Sequence, residues 1–354
     1  MMTVNVRASK EYNVEIGDGI ISKLGELTKT VCPQAIKALI VSETNVAALY
    51  LDAVKKHLEG AGLEVITYVF EAGEKSKSIN EIAGMWDSMA EAGFTRTDLV
   101  VGLGGGVTTD MAGFAASTFL RGIDVIQVPT SLLAMVDAAV GGKTGIDIPM
   151  GKNQVGAFWQ PSLVLEDMSF LKTLPDEVFT EGMGEVTKYA FIMDEKLFEL
   201  LEKQNGSIRD DASVLENVIG MCVADKAEVI NEDENDNGRR QILNYGHTAG
   251  HVIERDSGFT KPHGICVAKG MGIFIDACVR AGTLSSEDAK RMKGLLAMYK
   301  LPASDEITAE DIVKGAMNDK KKRGNILSVI LVNKIGQAGI KKMTAEEFLK
   351  FLSV

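Results

Sequence analysis

The sequence predicts an α/β N-terminal part built on a parallel sheet, followed by a mainly α-helical C-terminal part. Three observations carry this prediction. Up to about residue 130, short runs of apolar β-formers alternate with amphipathic helical stretches, the pattern of βαβ units. A glycine-rich turn, Gly102-Leu103-Gly104-Gly105-Gly106, stands directly between one such run and one such helix. Beyond about Pro175 the helical period dominates and strand signals are few. At 354 residues the chain is long for one core, so two domains are expected, at 1–175 and 176–354.

Residues 1–30 read as a short strand or hairpin and then a helix. The apolar runs Lys37–Ser42, Leu63–Phe70, Asp98–Leu103 and Ile123–Val128 read as strands. Between them Val46–His57 and Ile79–Ala90 have helical spacing, and MAGFAASTFL supplies the helix after the glycines. Crossovers between such parallel strands should be right-handed. Two polar, glycine-bounded islands follow, Asp137–Gly145 and the turn with Lys152 and Asn153, and both read as loops. Farther on, helices are expected over Glu181–Ala190, Leu215–Glu228, 266–281, 285–298 and 309–317. Glu232–Asp236 reads as a solvated acidic loop and Asp319–Arg323 as a basic cluster. One short strand, Leu327–Val332, precedes a terminal helix from Ala345.

Composition narrows the function. Hydrophobic residues make up 45% and charged residues 25%, as in ordinary globular proteins. The net charge of −11 argues against a general nucleic-acid binder, while leaving room for local cationic pockets. Cys32, Cys222, Cys266 and Cys278 show no CxxC pairing, which favours a reducing compartment. The N-terminus lacks the apolar core of a signal peptide, and no run of 18 or more apolar residues spans a membrane. A cytoplasmic protein is the expectation.

Two stretches carry chemistry. The glycine turn lets backbone approach a phosphate and aims amide N–H groups at it from a helix N-terminus, although a tight structural turn would need the same glycines. The later GGKT is not a P-loop, because Asp137 stands where the first glycine of that motif belongs. In the second stretch, three of the four histidines fall within seventeen positions, at His247, His251 and His263. His247 and His251 are four apart on what reads as a helix, so both leave one face. That is half of a metal site, but Thr248 replaces the glutamate a zinc peptidase needs next to its first histidine. Ordinary core or capping histidines remain the alternative. His57, among Lys55, Lys56 and Glu59, reads as solvated, and Glu185 with Lys188 reads most simply as a surface ion pair.

Taken together, GLGGGVTTDMAGFAASTFLRG, VPTSLLAMVDAAVGGKTGID, GKNQVGAF, FLKTLP, EGMGEVTKY and LNYGHTAGHVIE resemble the 3-dehydroquinate synthase family in order and approximate spacing, over nearly the whole chain. The resemblance implies a Rossmann-like N-terminal domain that binds NAD, a helical C-terminal domain that supplies a metal, an active site in the cleft between them, and a homodimer. By resemblance the metal ligands are Glu185, His247 and His263, a set suiting Zn²⁺, with Co²⁺ as a substitute. His251, Lys188, Asn244 and Asp137 take catalytic roles. Arg121, Lys143, Asn153, Lys226, Arg240 and Lys321 bind substrate, Arg121 by reaching across the dimer. NAD is held by Glu43, Asn45, Glu74, Lys77, Gly104, Gly105, Gly106, Val107, Asp110, Thr130, Ser131, Lys143 and Lys152, together with the Phe170, Leu171, Lys172 and Thr173 segment.

The implied reaction converts 3-deoxy-D-arabino-heptulosonate 7-phosphate into 3-dehydroquinate and phosphate, in the shikimate pathway to chorismate and aromatic amino acids. Transient oxidation at C5 by NAD⁺ acidifies the neighbouring C–H, phosphate leaves with its own oxygens as a plausible base, hydride returns, and an aldol closure follows. The chain departs from many relatives at Thr108-Thr109 before Asp110, at Asp147 where KTGIN is common, and at Gly184 beside Glu185. Competing readings are another sugar-phosphate cyclase, such as an inosose or valiolone synthase, a metal-dependent polyol dehydrogenase of related fold, and a non-catalytic dinucleotide-binding protein.

Overall fold

In the computed structural model, which describes residues 1–320 and 326–353, alternation along the strands decides the architecture of the first unit. Its strands are β1 (Met2–Arg7), β2 (Glu11–Gly17), β3 (Lys37–Glu43), β4 (Glu64–Phe70), β5 (Leu99–Gly104), β6 (Asp124–Pro129), β7 (Lys143–Ile148), β8 (Gly151–Phe158) and β9 (Leu163–Asp167). Seven of them form one sheet in the order β1-β2-β9-β6-β5-β3-β4, parallel except for the β1–β2 pair. In β3, Ala38 and Ile40 enter one hydrophobic cluster while Leu39 and Val41 enter another, so the sheet is buried on both faces. The helices of this part are α1 (Leu24–Val31), α2 (Thr44–Gly60), α3 (Ile79–Glu91) and α4 (Gly106–Thr118). Their caps follow the sequence: Glu43 accepts from the backbone N–H groups of Asn45 and Val46 at the start of α2, and Ser78 accepts from that of Glu81 at the start of α3.

Strand order locates the ligand end of this sheet. The chain runs from β3 outward to β4 and then returns to the other side of β3 as β5. Such a reversal leaves a crevice at the C-terminal ends of the two strands, the usual ligand position in open α/β sheets. Glu43 ends β3 and Gly104 ends β5.

The second unit contains α5 (Asp176–Ile192), α6 (Glu195–Gln204), α8 (His247–Asp256), α9 (His263–Arg280), α10 (Ser286–Met298), α11 (Ala309–Lys320), the hairpin β10 (Ile326–Lys334) and β11 (Gln337–Thr344), and α12 (Ala345–Ser353). The intervening α7 (Ala212–Glu232) belongs to the first unit, which comprises 1–174 and 212–235. A single boundary at 175 therefore does not describe the two units. The return of the chain has a physical basis. Asn231 accepts from the Arg7 backbone N–H at 2.7 Å, and Glu234 accepts from the Ser9 backbone N–H and hydroxyl at 2.8 and 2.6 Å.

Four other expectations are corrected. The glycine-bounded islands are not simply loops, because much of 143–158 pairs as the β7–β8 hairpin. A second C-terminal strand, β11, pairs with β10, where one strand was expected; its sequence, QAGIKKMT, is mostly exposed and shows little apolar alternation. His57 is half-buried rather than fully solvated. The Glu185–Lys188 pair is in the interior, with side chains 0% and 1% exposed. Among the described residues, no helix is long and apolar enough to cross a membrane, and all four cysteines are free and buried.

Candidate functional site

Three helices of the second unit bring its chemistry together. In α5, Glu185 and Lys188 lie one turn apart and share a face. His247 opens α8 with His251 a turn later, and His263 opens α9. Glycine makes the approach of α5 and α9 possible: a Cβ on Gly184 would stand 2.5 Å from the Gly264 carbonyl oxygen, and one on Gly264 would stand 1.9 Å from that of Glu181. Gly184, a departure in the sequence, is thus a contact point that places Glu185 against the start of α9.

The donor atoms converge. Glu185 Oε2 is paired with the Lys188 ammonium. Its Oε1 has no hydrogen bond, and lies 3.7 Å from His247 Nε2 and 3.5 Å from His263 Nε2. His247 Nδ1 is 3.1 Å from the Tyr245 carbonyl oxygen. A carbonyl only accepts, so Nδ1 must carry the proton, leaving the Nε2 lone pair of a neutral ring aimed at Glu185. His263 Nδ1 is held by Glu254 Oε2 at 3.3 Å. Each imidazole therefore has its outer nitrogen fixed by an oxygen, the arrangement that orients metal-ligating histidines. A tetrahedral ion with bonds of about 2.0–2.1 Å needs donors roughly 3.3 Å apart, close to the separations found. These residues fit a divalent cation.

The electrostatics agree. Burial pushes the Glu185 carboxyl up, but Lys188, His247 and His263 outweigh it and hold the group well below the usual carboxylate range. Burial takes His247 down to about 3 in spite of Glu185. On His263 burial is overcome by Glu185 and Glu254, which raise it to about 10. The field of these carboxylates thus favours the charged imidazolium of His263 beside the anionic Glu185, in a place where a bound cation would take over from that proton.

His251 is exposed, with its ring centroid 5.3 Å from that of His247 and 5.7 Å from that of His263. One ligand nitrogen from each of the three histidines fits within 4.8 Å of the others, so His251 stands at the rim of the same cluster. Arg240 is buried and Asn244 half-buried on the 3₁₀ turn Arg239–Asn244, which leads into α8. Glu254 was missed in the sequence. Its signal is spacing, since His247, His251 and Glu254 stand at i, i+4 and i+7 on one face of α8.

In the first unit the predicted nucleotide residues collect at the C-terminal ends of parallel strands. Glu43 follows β3, Gly104, Gly105 and Gly106 follow β5, Thr130 and Ser131 follow β6, and the Phe170–Thr173 segment follows β9. Gly105 is the N-cap of α4, so Gly106, Val107 and Asp110 belong to its first turns. At Gly104 a Cβ would stand 2.4 Å from the Thr108 hydroxyl, which ties that glycine to tight packing over the turn. Thr130 N–H donates to the Gly104 carbonyl at 2.9 Å, locking β6 to the turn.

Other groups engage one another. Lys77, buried, donates to Asp110 Oδ2 at 2.6 Å and to Asn153 Oδ1. Lys152 lies 3.3 Å from Glu74, and Lys226 pairs with Asp137 through carboxylate and carbonyl oxygens. Asn45, Arg121 and Lys143 are exposed, and Arg121 has a left-handed φ of 69°. Phe170 and Leu171 have buried side chains, which leaves only their backbone for a cofactor, and Lys172 pairs with Asp18. Lys321 lies outside the described residues. A cavity of about 440 Å³ beside the β10–β11 turn contains none of the predicted residues.

Residues 67–181 match the model of the 3-dehydroquinate synthase N-terminal domain, and residues 182–322 that of the C-terminal domain. The 3-dehydroquinate synthase of Clostridium acetobutylicum is 40% identical over 349 residues, covering 97% of this chain and 96% of that protein. Among solved structures, a 2-epi-5-epi-valiolone synthase from Streptomyces hygroscopicus subsp. jinggangensis 5008 with NAD⁺ and Zn²⁺ bound superposes with a TM-score of 0.87 at 26% identity, covering 99% of this chain and 98% of that one. A 2-deoxy-scyllo-inosose synthase complexed with carbaglucose-6-phosphate, NAD⁺ and Co²⁺ also reaches 0.87, at 23% identity and with 99% of both chains covered, which is a likeness of fold. By the family models and by relatives that match along nearly its full length, the chain belongs to the 3-dehydroquinate synthase family.

Proposed function

We propose that this chain converts 3-deoxy-D-arabino-heptulosonate 7-phosphate into 3-dehydroquinate and phosphate as an NAD- and metal-dependent, phosphate-eliminating lyase. The observation that carries the reading is the convergence of Glu185 Oε1, His247 Nε2 and His263 Nε2, with both histidines oriented from behind. Zn²⁺ is the proposed ion, and Co²⁺ a functional substitute, since one carboxylate and two imidazoles leave a position open for substrate oxygens. When bound, the ion supplies Lewis acidity and NAD⁺ supplies a reversible hydride acceptor.

The protein's own groups bind, orient and move protons. His251, at the exposed rim of the cluster, is assigned proton transfer through its ring nitrogens, and Asn244 orients a substrate hydroxyl by hydrogen bonding. Lys188, buried against Glu185, fixes that carboxylate as an anion and offers a cationic hydrogen-bond donor. Arg240 suits the substrate carboxylate by its planar fork, and Lys143, Asn153 and Lys226 suit the phosphate and hydroxyls. Asp137 holds Lys226 through two oxygens until an anion competes for it. A cytoplasmic homodimer, to which Arg121 contributes across the interface, completes the proposal.

The decisive assay measures phosphate release from the heptulosonate phosphate with substoichiometric NAD⁺, before and after chelation. Many turnovers per NAD⁺, abolished by chelator and restored by Zn²⁺ or Co²⁺, are expected. NADH accumulating in proportion to product, or phosphate release indifferent to chelation, would reject the reading. The same assay with a sugar phosphate lacking a carboxylate distinguishes other cyclases.

A further inference from the structure

The β7–β8 hairpin contains an irregularity that its sequence does not advertise. Ile146 pairs with Val155, and Ile148 pairs with Gly151. A single residue, Asp147, therefore stands opposite three, Lys152, Asn153 and Gln154. Extra residues on one strand bend it and re-aim its side chains. At the apex of this bulge Asn153 takes a φ of 54°, the left-handed region that costs an ordinary residue free energy unless neighbours impose it.

Asp147 is hydrogen-bonded to the backbone of that residue. Its Oδ1 accepts from the Asn153 backbone N–H at 2.8 Å, and its own N–H donates to the Lys77 carbonyl at 2.9 Å. The bulge, so held, delivers the Asn153 side-chain oxygen to the Lys77 ammonium, which also binds Asp110, and brings Lys152 to Glu74. One residue thus ties the segment Glu74–Lys77 to the strand bearing Lys152 and Asn153, through its backbone N–H on one side and its carboxylate on the other.

We propose that Asp147 is a positioning residue, one that holds the β8 bulge so that Asn153 and Lys152 are presented to their ligands. Its role is exerted through Asn153 and Lys152. The proposal rests on the reading of Asn153 as a substrate-binding group and of Lys152 as a cofactor-binding group. It also gives the departure at Asp147 a defined meaning: the position needs an acceptor oxygen at Oδ1, which asparagine also supplies.

The test uses full-length Asp147→Ala, Asp147→Asn and Asn153→Ala with two readouts, amide hydrogen exchange at Asn153 and the separate values of KM and kcat. Loss of a charge-assisted hydrogen bond should speed Asn153 exchange in Asp147→Ala by roughly tenfold or more, and raise KM for the sugar phosphate by a similar factor with a smaller change in kcat. Asp147→Asn should rescue both. Unchanged exchange at Asn153 in Asp147→Ala overturns the proposal, as does a wild-type KM in a variant set where Asn153→Ala is impaired. If Asn153→Ala itself has a wild-type KM, the reading of Asn153 fails, whereas faster exchange in Asp147→Ala still supports the hold on the bulge.

Discussion

The two units prepare for their ligands in opposite ways. In the second, polar atoms converge and stop short of one another: Glu185 Oε1 lacks a hydrogen bond while two imidazole nitrogens stand 3.5 and 3.7 Å away. In the first, the groups predicted to bind ligands already have partners: Lys77 with Asp110 and Asn153, Lys226 with Asp137, Lys152 with Glu74, Glu43 with the start of α2. A buried carboxylate left under-coordinated is expensive, so the second arrangement has room to gain from a cation. A self-neutralised network is already stable, so an anionic ligand gains only the difference between its contacts and those it displaces. Loss of a group should therefore cost much in the first-mentioned site and less in the network.

The sharpest way to break this contrast is to compare the two histidines of α8. His247→Ala removes a donor, so metal content and turnover should fall together; loss of several kcal/mol of Lewis-acid stabilisation corresponds to roughly 10³-fold or more in rate. His251→Ala should keep its metal and lose roughly 10²–10³-fold in kcat, the range for a proton-transfer group. Metal analysis of both purified variants decides it. A His251→Ala protein without metal would make the three-histidine set the ligand set and displace Glu185.

Glu254 gives a smaller effect of the same kind. It acts through His263 Nδ1, and outer partners of metal-binding histidines are worth roughly 10–100-fold in affinity. Glu254→Ala should weaken Zn²⁺ binding by that factor in a competition titration with a chromophoric chelator, and should recover turnover at high Zn²⁺. Affinity equal to wild type would mean that Tyr245 and packing alone orient the cluster.

How legible each unit was in the sequence follows from the same difference. The sheet was readable because strands buried on both faces, such as LIV in β3 and LVV in β5, are continuous apolar runs. Hairpin β7–β8 escaped because glycines and polar residues occupy it, and β11 because its side chains are largely exposed. The histidines were conspicuous by clustering, but Glu185, which reads as half of a surface ion pair, entered as a ligand only through family resemblance, since nothing in EGMGEV announces that its carboxylate is buried. Glu254 sits in ERD, which looks like a solvated helix end. The placement of α7 was hidden for a related reason: Asn231 and Glu234 bind backbone groups of the β1–β2 hairpin, and such contacts leave no periodic trace.

The network side yields the smallest expected effect, and that smallness tests the comparison. Lys152 and Glu74 are 26% and 38% exposed and 3.3 Å apart, so their pairing contributes about 0–1 kcal/mol, screened further by salt. Both were assigned to NAD. If Lys152 must leave Glu74 to reach the cofactor, Glu74→Gln removes a competitor along with one polar contact, and the two effects oppose each other. NAD⁺ affinity, read by isothermal titration at low and at high salt, should change by less than about fivefold and converge on wild type as ionic strength rises. A loss of roughly a hundredfold would require Glu74 to be a fixed, desolvated ligand of the cofactor. The first unit would then be as rigidly prepared as the second, and the contrast between a site that awaits its ligand and a network that must exchange partners would not hold.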